Sequence, residues 1–99
     1  MNPQRGEAAI MIDGEMRKLC LTLGALAEIE AALGCDTLKD LSLRLKSVSA
    51  RDLMKLLKAL LRGGSERNLA GEIETHCIHP KDAMAAILAC FRGANLDET

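Results

Sequence analysis

The segment from Arg5 to Gly34, RGEAAIMIDGEMRKLCLTLGALAEIEAALG, constrains the fold more than any other part of the chain. Asp13-Gly14 divides two stretches with strand character, Glu7–Ile12 and Glu15–Leu21. Asp-Gly favours a type I′ hairpin turn, because both central residues there take positive φ. That turn sets a register with Ile10 opposite Arg17 and Ala8 opposite Leu19. Ala8, Ile10, Ile12 and Leu19 then share one mostly apolar face. A two-stranded hairpin is marginal alone, so helices must cover this face.

Helix signals follow directly. Thr22 caps a helix whose apolar stripe is Leu23, Leu26, Ile29 and Leu33, and Gly34 closes it. Thr37 opens a second helix, with Asp40 as its capping partner and Leu38, Leu41 and Leu45 as buried positions. Ser49 and Asp52 start a third over about residues 50–62, carrying Leu53, Leu56, Leu57, Leu60 and Leu61 and ending at Gly63-Gly64. A short fourth helix is expected over 68–76, though Gly71 weakens it. Pro80 suits the first turn of a last helix reaching Phe91 or Arg92, with Gly93 closing it. The expectation is one α+β domain over residues 6–93, an N-terminal β-hairpin followed by four to five packed helices. Residues 1–5 and 94–99 are expected to be disordered.

Composition narrows the function classes. Of 99 residues 48% are apolar, so a packed core is expected. Phe91 is the single aromatic residue, which argues against base-stacking nucleic-acid modules. The formal net charge of -1 gives no general pull on nucleic acid or membrane. No apolar run approaches the roughly 18 residues of a spanning helix, and no secretory signal is visible. Cys20, Cys35, Cys77 and Cys90 form no CxxC pair and read as reduced thiols of a cytoplasmic protein.

Reactive groups are sparse. His76, Cys77 and His79 form the one cluster of metal-ligand types, and Cys90 could join them, but no second pair has zinc-site spacing. The alternative is a polar corner between helices with a packed Cys77. Cys77 and His79 lack a third orienting group for nucleophilic catalysis. Glu28 and Glu30 diverge on their helix, and Gly63-Gly64-Ser65 has no Walker lysine. No catalytic residue and no cofactor site is expected.

Two helix faces remain as contact candidates. Arg51, Lys55, Lys58 and Arg62 share one side of the third helix. They form either a basic stripe for phosphates or an acidic partner, or a solvated face with Arg62 at the C-terminal dipole. The last helix holds nine consecutive apolar residues, Ala83 to Phe91. Met84, Ile87, Leu88 and Phe91 form a core-like stripe, while Ala85, Ala86 and Ala89 leave the other side smooth. A helix apolar all round is either buried or meets a partner. Met11, Met16, Met54 and Met84 would serve an adaptable surface or fill the core.

Arg5-Gly6-Glu7, Asp13-Gly14, Thr22-Leu23-Gly24-Ala25-Leu26, Ile29-Glu30 and Leu33-Gly34 together resemble the small gene transfer agent proteins of α-proteobacteria, grouped with phage tail tube and tail-assembly chaperone proteins. Ser49-Ala50-Arg51-Asp52 and Arg62-Gly63-Gly64 extend the resemblance, which spans roughly residues 5–93. It implies a non-enzymatic role in the tail of a phage-like particle, from a gene transfer agent or a prophage. The implied partners are phage-like tail proteins, with homo-oligomers as a further expectation and neither nucleic acid nor membrane. Partner contact is expected at Met84, Ile87, Leu88 and Phe91, with Arg51, Lys55 and Lys58 as a polar rim. The alternative is a small DNA-binding regulator using Arg51, Lys55, Lys58 and Arg62.

Overall fold

The hairpin is the platform on which the rest of the chain packs. In the computed structural model, which describes residues 6–73 and 76–93, β1 (Glu7–Ile12) pairs antiparallel with β2 (Glu15–Cys20). Asp13 at φ 51° and Gly14 at φ 82° make the expected type I′ turn. The register is the expected one, with Ile10 opposite Arg17 and Ala8 opposite Leu19. Ala8, Ile10, Ile12 and Leu19 are all buried on the inner face. Met11 and Met16 face each other on the outer side, 51% and 64% exposed.

Five helices follow among the described residues: α1 (Leu23–Leu33), α2 (Leu38–Arg44), α3 (Ala50–Gly63), α4 (Arg67–Gly71) and α5 (Pro80–Gly93). Capping fixes three of the starts. The Thr22, Thr37 and Ser49 hydroxyls accept from the N–H groups of Ala25, Asp40 and Asp52. Gly34 ends α1 in the left-handed region at φ 69°. The molecule is α+β, a hairpin with α3 and α5 packed on it and α1 against α3. Its core joins Ile10, Ile12 and Leu19 to Ile29, Leu56, Leu60, Ile87 and Phe91.

The differences from expectation have physical causes. Leu23 is 83% exposed, because α1 turns Ala25, Ile29 and Leu33 inward instead. Leu38 is also exposed; α2 is only seven residues long and buries Leu41 alone. α4 stops at Gly71, short of the expected 76. α3 ends at the expected glycine pair, with Gly64 as its cap at φ -86°. Both expected disordered termini lie outside the described residues.

Candidate interaction surface

The two strands have opposite surroundings. The Leu21 N–H donates to the Gly6 carbonyl at 2.9 Å, which marks these two as a hydrogen-bonded pair. Alternation then makes Ala8·Leu19, Ile10·Arg17 and Ile12·Glu15 the bonded pairs. The N–H and C=O of Ala9 and Met11 therefore point out of one sheet edge. Those of Lys18 and Cys20 point out of the other.

The β2 edge is closed. The Lys18 N–H donates to Glu66 Oε2 at 3.2 Å, and Arg17 reaches the same carboxylate at 3.4 Å. The end of α3 lies flat on the strand carbonyls. A Cβ on Gly63 would sit 2.1 Å from the Cys20 oxygen, and one on Gly64 2.2 Å from the Lys18 oxygen. Only glycine allows the helix so close. Sequence reasoning took Gly63-Gly64 as a stop signal and missed this contact; two adjacent glycines after a leucine-rich helix were its only trace.

Among the described residues nothing pairs with the β1 edge, which is open in that sense. It borders a surface groove of about 520 Å³ lined by Glu7 to Met11 and by Asp82, Ala85, Ala86 and Ala89 of α5. Its floor is thus the alanine flank of α5, and its ionisable lining residues are two acids. Gly6 lies beside the Cys90 carbonyl, so α5 runs antiparallel to β1 and Asp82 falls towards the Met11 end.

α5 divides its apolar residues differently from the expected contact stripe. Ile87 is 0% and Phe91 1% exposed. These two are corrected from contact residues to core, because the short hairpin needs their bulk to fill the space beneath it. Met84 and Leu88 are half-buried, and Ala85 is exposed. On the alanine side Ala85 is exposed, Ala89 half-buried and Ala86 buried at the groove floor.

The basic residues of α3 are exposed or half-buried, and two of them reach α1. Lys55 Nζ donates to the Ala32 carbonyl at 3.3 Å, near the C-terminal end of α1. Arg62 makes a bidentate pair with Glu28, its Nε at 3.1 Å. Arg51 is exposed, and Lys58 is half-buried with an interaction of its own. Lys55 and Arg62 thus tie α1 to α3, while Arg51 and Lys55 stay exposed. A further tie comes from Arg44, which donates to the Leu33 carbonyl at 2.8 Å and to Asp52 at 3.2 Å. Burial pushes the Asp52 carboxyl up, but the Ser49 backbone and Arg44 outweigh it and leave its pKa lowered.

The His/Cys cluster takes the interhelix-corner arrangement. His76 Nδ1 meets the Asp13 carboxylate, and the Cys77 N–H donates to Asp13 Oδ1 at 3.0 Å. The His76 hydrogen bond, helped by Cys77, holds the Asp13 pKa below its ordinary value. His79 Nδ1 accepts from the Lys81 N–H at 3.2 Å. Cys77 itself is exposed, not packed. Among the described residues no three His, Cys, Asp or Glu side chains gather to hold a metal ion. Cys90 is buried, and burial raises its pKa to about 12, which leaves a thiol without nucleophilic character. No helix among the described residues is long and apolar enough to cross a membrane.

A family model described as "Phage tail tube protein, GTA-gp10" covers residues 5–93. No curated protein and no solved structure matches the chain. The family match takes in the hairpin, all five helices and both sheet edges: the chain belongs to the GTA-gp10 phage tail tube family, and is a phage-like, tail-related protein.

Proposed function

We propose that the chain is a non-enzymatic tail-assembly chaperone of a phage-like particle, acting in the cytoplasm by binding another tail protein until it polymerises. The particle is a gene transfer agent or a prophage of an α-proteobacterium. The observation that carries this reading is the open β1 edge with its alanine-lined groove, in a chain matched to a tail family over residues 5–93. An assembly partner needs an accessible contact surface, and an unpaired strand edge beside a smooth helix supplies one. A second reading, a subunit of the tail tube itself, is favoured by the family's own description.

Size-exclusion chromatography with light scattering tests the pair. The protein is run alone and after co-expression with the tail genes encoded beside it. A monomer or dimer that captures one tail protein supports the chaperone. Rings or tubes formed by the chain alone support the tube subunit. A monomer that is inert in both settings overturns both.

A further inference from the structure

We infer that the open edge of β1 is a strand-docking site, which takes an extended lysine- or arginine-bearing segment of a partner protein as a third strand of the sheet. This deepens the proposed function and rests on its claim that the chain binds other proteins. Ala9 and Met11 each present one N–H and one C=O at this edge, the i, i+2 spacing that a ladder needs. Natural edge strands are blunted by lysine, proline, bulges or a covering element. β1, EAAIMI, carries no lysine or proline and pairs without a bulge. The same fold closes the β2 edge with Glu66, Gly63 and Gly64.

The groove also states what fits. It follows β1 for five residues, about 13 Å at the usual strand rise. Ala85, Ala86 and Ala89 let an incoming strand approach α5 closely and favour small or apolar side chains against them. Glu7 lies at one end and Asp82 towards the other. Glu7 already meets Lys18 at 3.6 Å on the outer face, so Asp82 is the stronger anchor for a basic residue. A second copy of β1 fits less well. Antiparallel pairing about Ala9 would carry Glu7 of one chain to the Asp82 end of the other.

The test uses the isotope-labelled full chain and a synthetic nine-residue peptide, alternating valine and threonine with lysines at both ends. Bound peptide should slow amide exchange at Ala9 and Met11 at least tenfold. A glutamate-ended peptide should bind at least tenfold more weakly. Ala9→Pro deletes one outward N–H and leaves the β1–β2 ladder intact. It should cut peptide affinity at least tenfold while Ile10 and Leu19 stay protected. Asp82→Lys, remote from the hairpin bonds, should reverse the preference between the two peptides. Unchanged exchange at Ala9 and Met11, or equal binding of the two peptides, overturns the proposal. So does a dimer of the chain alone that protects these amides, since it makes a second copy the occupant. Peptide binding without capture of any tail protein would sink the tail-chaperone reading and leave the docking site standing.

Discussion

β2 and β1 are neighbouring strands of one hairpin, yet among the described residues one edge is sealed and the other is open. On β2, the Glu66 carboxylate accepts the Lys18 N–H, and two glycines bring the end of α3 onto the Lys18 and Cys20 carbonyls. On β1, the corresponding groups of Ala9 and Met11 face a groove floored by alanines. The difference lies not in strand propensity but in what the following helices bring. α3 ends on its strand and spends its glycines there. α5 lies beneath β1, gives Ile87 and Phe91 to the core, and leaves its small side along the edge. A two-stranded sheet has only two edges, so closing one directs any strand addition to the other.

Substitutions at the sealed edge have the largest expected effect. Gly64→Ala places a Cβ where the Lys18 carbonyl stands, and Gly63→Ala does the same at Cys20. Backbone must move in each case, so each should cost about 3 kcal/mol in chemical denaturation. A loss below about 0.5 kcal/mol would show that α3 does not seal the strand.

Glu66→Ala is milder. It removes the acceptor of the Lys18 N–H and the partner of Arg17, and should cost about 1 kcal/mol. Amide exchange at Lys18 should accelerate towards the rate at Ala9, which makes the two edges alike. Ala9→Pro is the matched change on the open side. It leaves every hairpin bond in place and should cost less than about 1 kcal/mol. A larger loss in thermal denaturation would mean that the Ala9 N–H has a partner in the free protein.

Acid should weaken the ties around this sheet. The Asp13 and Asp52 carboxyls both have lowered pKa values in the folded chain, so the unfolded chain binds protons first as pH falls. Their stabilisation is complete at neutral pH and is lost as pH drops from the ordinary aspartate range through the folded values. Denaturation midpoints should fall in acid. Asp13→Asn should flatten part of that fall, and an unchanged profile would show that the His76 contact contributes nothing.

Much of this was legible in the chain. Asp13-Gly14 set the turn and register, and Thr22, Thr37 and Ser49 marked three helix starts through side-chain chemistry that acts locally. The tertiary choices were not legible. Leu23 fits the α1 stripe by spacing, yet Ala25 is buried and Leu23 exposed once α1 packs on α3. Lys55 and Arg62 look like a solvated stripe until α1 brings the Ala32 carbonyl and Glu28 to them. The candidate site was half legible. Its alanines stood out in the last helix, but an open strand edge is a property of what fails to cover it.

Residue-resolved amide exchange of the free protein tests that contrast most directly. The account predicts protection at Ile10, Leu19 and Lys18, with Ala9 and Met11 exchanging nearly as fast as an unstructured peptide. Protection of Ala9 and Met11 equal to that of Lys18 would contradict it, because both edges of the hairpin would then be closed.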